Sequence, residues 1–339
     1  MNGVEGPSVL FTAGRALPPL PPFRPRFPWI TGDLQTLRNN LIGRKPPLPA
    51  GTRLSLPIGD GTGDALTGAL HKPAEDTSKP LVVLIHGLTG DEDSTNIVTS
   101  AAWHLGRGHA VLRLNLRGAG PVREHARAAA RRWYHAGASA DVRAALGALP
   151  GNLKRHGILI AGTSLGGNLV LKLLAEGCDG VIAGAAISAP IDLKASQLRI
   201  MQPRNAVYHR HLLSAMRADA VRSPGEHGAL YRANARRIRS IYDFDDLVVA
   251  PANGFAGADD YYRRCSAGPM LDAITVPTLL IHAADDPWIP AAIYRARAWR
   301  DSGAALAMPN GGGHVGFHGA DHPVPWHNHA IAALFDGVL

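Results

Sequence analysis

A serine hydroxyl is a weak nucleophile at neutral pH. It needs a base within hydrogen-bond reach, and the base needs a carboxylate to orient it. The chain carries candidates for all three, in the order serine, acid, histidine. The serine is Ser164, in Ala161-Gly162-Thr163-Ser164-Leu165-Gly166-Gly167-Asn168. The acid is Asp285 or Asp286, in His282-Ala283-Ala284-Asp285-Asp286-Pro287-Trp288-Ile289-Pro290. The pattern Asp-x-x-x-Pro favours Asp286 and leaves Asp285 a loop or capping role. The base is His314, in Asn310-Gly311-Gly312-Gly313-His314-Val315-Gly316-Phe317, where glycines let the ring swing to the serine. His318, His322, His327 and His329 compete with it and are expected at the surface or at helix ends. Their spacing matches no H-E-x-x-H or Cys/His ligand pattern, so no metal site is expected.

These residues need a scaffold. Gly157 to Ile160 is an apolar run of strand length, and Leu169 to Glu176 carries apolar residues at helical spacing. A serine between glycines on such a strand–turn–helix is the nucleophile-elbow arrangement. Side chains at Gly162 and Gly166 would collide with neighbouring backbone there. Leu165 then opens the helix, and its free N–H can face a developing oxyanion. A second donor is expected from the loop after the strand Leu81 to Ile85. Leu88 N–H in His86-Gly87-Leu88 fits, with Gly87 allowing close approach and His86 bracing the loop.

The remaining segments alternate. Thr52 to Pro57 and Asp64 to His71 read as an antiparallel pair around a Gly59–Gly63 turn. Helix Asn96 to Arg107, strand Ala110 to Leu114 and helix Ala138 to Leu149 lead to the elbow strand. Strand Val181 to Ser188 follows the elbow helix. After the interruption Pro190 to Gly268 come strand Val276 to His282, helix Ala291 to Arg300, strand Ala304 to Met308 and helix Trp326 to Phe335. This order predicts an α/β fold: a mostly parallel central sheet, helices on both faces and a helical cap insertion. The expected division is a Pro-rich arm (1–50), a core (51–190 and 272–339) and a cap (191–271). The arm is expected to wrap the core with Phe27, Trp29 and Ile30 as anchors and a short helix Asp33 to Leu41. About the first fifteen residues read as an unstructured tail. Leu212, Leu213, Met216, Tyr208 and Ile238 are expected to pack within the cap rather than line a pocket.

The composition is globular, 46% hydrophobic and 18% charged over 339 residues. Cys178 and Cys265 form no CxxC pair, which argues against a disulfide framework and a structural zinc site and suits a cytoplasmic setting. No apolar stretch is long enough to span a bilayer, and no secretory signal is visible. The formal net charge is +8. It is segregated: nine arginines in 195–240 face only Asp219 and Glu226, and five aspartates with no Lys or Arg follow in 241–260. The two stretches are expected to pair in the fold or to form separate solvated faces. The sharper alternative is a basic surface near the cavity mouth that favours anionic substrates or peripheral contact with anionic membranes. No aromatic-interleaved basic groove points to nucleic acid.

The chain resembles the α/β-hydrolase superfamily over residues 51–339, and within it the YheT-like branch of esterases. The resemblance rests on Leu34-Gln35-Thr36, His86-Gly87-Leu88-Thr89-Gly90, Asn115-Leu116-Arg117-Gly118 and the elbow. It extends through Phe244-Asp245-Asp246, Ala250-Pro251, Gly254-Phe255, Asp260-Tyr261-Tyr262, Ala284-Asp285-Asp286-Pro287 and Gly312-Gly313-His314-Val315-Gly316-Phe317. One departure is Asp33, where the branch pattern has histidine before Leu-Gln-Thr. The resemblance implies a serine carboxylesterase acting on short- to medium-chain, lipid-derived or other small esters, with Ser164, Asp286 and His314 as triad and no cofactor. Acyl transfer to an alcohol and a non-catalytic binding module on the same fold are the alternatives.

Overall fold

The computed structural model describes residues 8–11, 19–75, 77–120, 130–297, 299 and 302–339. Nine strands form one sheet in the order β1-β9-β8-β7-β6-β4-β5-β3-β2. The strands are β1 Ser8–Phe11, β2 Thr52–Pro57, β3 Ala65–His71, β4 Leu81–Ile85, β5 Val111–Leu114, β6 Ile158–Thr163, β7 Val181–Ile187, β8 Thr278–Ile281 and β9 Ala304–Met308. The six central strands, β4 to β9, run parallel. Their side chains are mostly apolar, Arg113 of β5 being the charged exception, and are covered on both faces, as parallel strands require. Antiparallel β3 and β2 extend one edge, with register Thr52↔Leu70 to Pro57↔Ala65.

One apolar core lies on each face. Helix Leu165–Ala175 and helix Ser139–Gly147 close the first face, through Leu169, Leu173, Val142 and Leu146. Helices Thr95–Gly106 and Trp326–Asp336 close the second, through Ile97, Ala101, Trp326, Ile331 and Phe335. Arg117 is buried at the end of β5. It grips Asp141 with two bonds (2.8 and 2.6 Å) and Asp60 at 2.8 Å, tying this loop to the β2–β3 turn.

Several expectations change. Ser8–Phe11 is an edge strand antiparallel to β9 rather than an unstructured start, because β9 would otherwise leave its outer backbone groups unpaired. The arm is not anchored by Phe27 and Ile30, which are 82% and 54% exposed. Phe23 packs instead against Phe317 and Trp326, and Arg26 Nε donates to Gly319 O (3.0 Å). The helix foreseen over Ala291–Arg300 runs only through Ala292–Arg295, since the Trp299 indole N–H takes the Tyr294 carbonyl (3.1 Å); residues 298 and 300 lie outside the described residues. Between β7 and β8 run helices Leu193–Ile200, Ala206–Arg222, Glu226–Asn234 and Ala258–Cys265. Among the described residues no ion pair joins the arginines of 195–240 to the aspartates of 241–260. Arg204 reaches Asp33 and Arg222 its own-helix Asp219, whereas Asp259 and Asp260 take Lys194, Arg263 and Arg264.

Candidate active site

Ser164 sits on the turn between β6 and helix Leu165–Ala175 with φ 52° and ψ −122°, a strained conformation for a residue with a side chain. Its N–H is held by Ile187 O (2.8 Å), and its own carbonyl accepts from Gly167 N and Asn168 N. A Cβ at Gly162 would overlap the Gly166 carbonyl, and one at Gly166 would overlap the His86 carbonyl. The two glycines let strand, turn and loop close on each other and push the hydroxyl outward.

The histidine loop brings His314 Nε2 to 2.9 Å from Ser164 Oγ. His314 Nδ1 lies 2.9 Å from Asp286 Oδ2. The other Asp286 oxygen accepts from Trp288 N (2.8 Å) and Ile289 N (3.0 Å), so every face of this fully buried carboxylate has a donor. Burial opposes its charge, but the adjacent His314, and then His282, hold the Asp286 carboxyl below its ordinary value. Asp285 caps the loop instead, accepting from Gly313 N (2.9 Å). The Trp288 ring stacks on the His314 ring at 4.3 Å and walls it from one side.

Leu165 N and Leu88 N have no hydrogen-bond acceptor among the described residues, and both residues line the cavity beside Ser164. His86 braces the Leu88 loop. Its Nδ1 lies 2.8 Å from Gly87 O and its Nε2 accepts from Leu116 N (3.1 Å), which defines a neutral tautomer. Thr89, at φ 58°, donates its N–H to the Tyr134 hydroxyl (2.7 Å). The loop is therefore pinned at both ends.

Sequence reasoning assigned no role to the residues that prop the histidine loop. Thr36 Oγ1, on the arm helix Gly32–Ile42, accepts from His314 N (2.8 Å). Buried Gln35 accepts from His318 N (2.7 Å) and donates to His318 O (3.1 Å) and Trp29 O (2.6 Å). Ser188 Oγ accepts from Val315 N (3.1 Å). The only signal was the Leu34-Gln35-Thr36 motif, which names residues without saying what they touch. Asp33, the departure from the branch pattern, accepts from the Tyr208 hydroxyl and Arg204 (both 2.9 Å) and links the arm to helix Ala206–Arg222.

Of the competing histidines, His327 and His329 lie in the first turn of helix Trp326–Asp336, the helix end expected for them, whereas His318 is buried rather than at the surface. His318 and His327 are buried, and burial pushes both down to about 3; His322 and His329 are half-buried and face each other at 4.4 Å. On the helix Trp326–Asp336, His327 meets the Phe317 ring edge-on and His329 lies 4.4 Å from the Trp103 ring, while His318 precedes the helix and its Nδ1 lies 3.0 Å from Arg38. Among the described residues no three His, Cys, Asp or Glu side chains converge as a metal set. Cys178 and Cys265 are free thiols.

Ser164 and His314 open into a cavity of about 750 Å³ lined mostly by apolar groups. Tyr208, Leu212 and Met216 line it rather than packing only within their own segment as expected; Leu213 and Ile238 are buried away from it. Alternate faces of helix Ala206–Arg222 divide these roles, and periodicity alone does not say which face meets the cavity. No helix among the described residues is long and apolar enough to cross a membrane.

Comparison with known proteins bears on the family and the fold. The profile of the alpha/beta hydrolase family matches residues 82–336. YheT of Escherichia coli (strain K12), an esterase by name, is 35% identical over 86% of this chain and 86% of its own. The monoacylglycerol lipase ABHD2 of Danio rerio is 25% identical over 91% of this chain and 78% of its own. The Medium-chain fatty acid ethyl ester synthase/esterase 2 of Saccharomyces cerevisiae is 26% identical over 76% of this chain and 62% of its own. Among solved structures, the esterase Pf2001 of Pyrococcus furiosus superposes with a TM-score of 0.54 at 17% identity, covering 84% of this chain and 91% of that one, a likeness of fold. A family profile over three quarters of the length and a relative sharing a third of its residues leave one assignment: the chain belongs to the alpha/beta hydrolase family, in its YheT-like branch.

Proposed function

We propose that this protein is a serine carboxylesterase. Ser164 Oγ attacks the ester carbonyl while His314 Nε2 takes its proton. Asp286 holds the ring in the tautomer that accepts at Nε2 and stabilises the imidazolium once it forms. The tetrahedral oxyanion receives hydrogen bonds from Leu88 N–H and Leu165 N–H; losing one such donor slows comparable reactions by about 10²–10³. His314 then gives its proton to the leaving alcohol. Water, deprotonated by the same histidine, hydrolyses the acyl-enzyme and restores Ser164. No cofactor enters these steps.

The observation that carries this reading is the unbroken chain of 2.9 Å contacts from Ser164 through His314 to Asp286. The apolar cavity suits a short- to medium-chain acyl group, roofed by the cap of residues 191–271. The lipase and fatty-ester names of two relatives support lipid-derived esters as substrates. Acyl transfer to an alcohol is the second reading, favoured by the yeast relative's name as a synthase as well as an esterase.

Hydrolysis of p-nitrophenyl esters from acetate to laurate, on wild type and Ser164→Ala together, tests the proposal. Activity confined to the wild type supports it, and equal rates in both proteins sink Ser164 as the nucleophile. Added ethanol that diverts product from acid to ethyl ester would favour transfer.

A further inference from the structure

Five aspartates fall within residues 241–260, and four of them meet backbone N–H groups or cations. Asp243 closes a capping box at Ser240, Asp246 accepts from Ala258 N (2.8 Å), and Asp259 and Asp260 meet Lys194, Arg263 and Arg264. Asp245 differs. It is 8% exposed and lies in the wall of the same cavity as Ser164, which Phe244 and Val249 also line. The Tyr262 hydroxyl donates to its Oδ2 at 2.6 Å. Among the described residues no cation and no second donor reaches this carboxylate. Burial pushes its carboxyl up to about 7, against the pull of the Tyr262 hydrogen bond, and Asp246 adds to the rise.

Asp245 opens a π-helical turn, Asp245–Val249, in which Asp245 O accepts from Ala250 N. Such turns interrupt a regular helix and recur at functional positions. His227 lines the same wall, stacked flat on Trp133 at 5.3 Å, and its buried Nδ1 has no partner among the described residues. A polar group left with spare hydrogen-bonding capacity in an apolar wall costs stability unless a ligand completes it.

We propose that Asp245, steadied by Tyr262, is a specificity-determining subsite that accepts a hydrogen bond from a hydroxyl group of the substrate, remote from the scissile ester. The preferred ligands are hydroxylated esters rather than plain alkyl esters. The inference rests on the reading of this cavity as the ester site. It also separates two roles for one carboxylate. A strut that only joins the π turn to Tyr262 would be indifferent to what enters the cavity, whereas a subsite distinguishes a hydroxyl from a methyl.

The test is calorimetric binding of primary alkanols, butanol to decanol, against their matched α,ω-diols, on the full chain. No chemistry is needed to read it. At one chain length and near about pH 8.5, above the raised carboxyl value so that Asp245 is ionised, the wild type should bind the diol about tenfold tighter or more than the alkanol, as for a hydrogen bond to a charged acceptor. Asp245→Leu should erase that ratio, and Asp245→Asn should reduce it severalfold. Equal binding of diol and alkanol at every length overturns the proposal, as does an unchanged ratio in either variant. If Asp245→Leu does not fold, the wild-type ratio and Asp245→Asn decide alone. A diol preference in a protein whose Ser164 neither hydrolyses esters nor reacts with a fluorophosphonate leaves the subsite standing and removes the esterase reading.

Discussion

The two sides of the Ser164–His314 contact are built differently. The serine side is local. Strand β6, the turn and helix Leu165–Ala175 are continuous in sequence, and two glycines make their closure sterically feasible. The histidine side is assembled from distant parts of the chain. His314 N reaches Thr36, Val315 N reaches Ser188, and Asp286 supplies the carboxylate. A Cβ at Gly313 would overlap the Gly32 carbonyl, so the arm helix and the histidine loop pack backbone to backbone. The comparison teaches that Ser164, the proposed nucleophile, is positioned by its neighbours in sequence, while His314, its proposed base, is held by an arm nearly three hundred residues upstream.

Substitutions on each side test this asymmetry. The largest effect is expected for Ser164→Ala, which should lower kcat for ester hydrolysis by on the order of 10⁴ or more with Tm nearly unchanged. Asp286→Asn should follow, with a loss of about 10⁴ from an imidazole held in the wrong tautomer. Asp285→Asn, one residue away, should cost less than about tenfold, because it loses only a charge-assisted bond to Gly313 N. Reversal of that order would return the acid role to Asp285.

Thr36→Val removes the acceptor for His314 N from outside the triad. Its expected signature is about a tenfold fall in kcat, with KM little changed, matching one lost buried hydrogen bond. If kcat stays at the wild-type value, the arm does not position the base and the asymmetry between the two sides fails. Gln35→Ala should lower stability by about 1–3 kcal/mol through unsatisfied His318 backbone groups, read as a denaturant midpoint shift.

The smallest effect concerns pH. Asp245 has a raised carboxyl, so between about 4 and about 7 the folded chain keeps a proton that the unfolded chain has lost. The stability this contributes is complete below about pH 4 and disappears as pH rises through about 7. Asp245→Asn, which cannot ionise, should therefore raise Tm by a few degrees near about pH 8 and leave it unchanged near about pH 4. A constant Tm difference across this range would mean that Asp245 does not titrate on unfolding.

The parallel strands were readable because uninterrupted apolar runs such as Leu81–Ile85 have few other places to go. The edge strand Ser8–Phe11 was not, since an edge is specified by a neighbour's unpaired backbone and leaves little mark in composition. The arm's anchors were misjudged for a related reason. Phe27 and Phe23 are chemically alike, and only the location of Phe317 and Trp326 puts one inside and the other in water.

Short-range signals, namely helical spacing, apolar runs and glycines around a serine, carry the alternation of elements and the candidates Ser164, Asp286 and His314. They are legible because they arise from contacts between residues close in the chain. The choice of Asp286 over Asp285 as the partner of His314 depends on which carboxylate a folded loop turns inward. The support from Thr36 and Gln35, the cavity-facing side of helix Ala206–Arg222 and the inward turn of Asp245 are likewise properties of packing. Each pairs groups far apart in sequence, and no local pattern records which distant surface a side chain will meet.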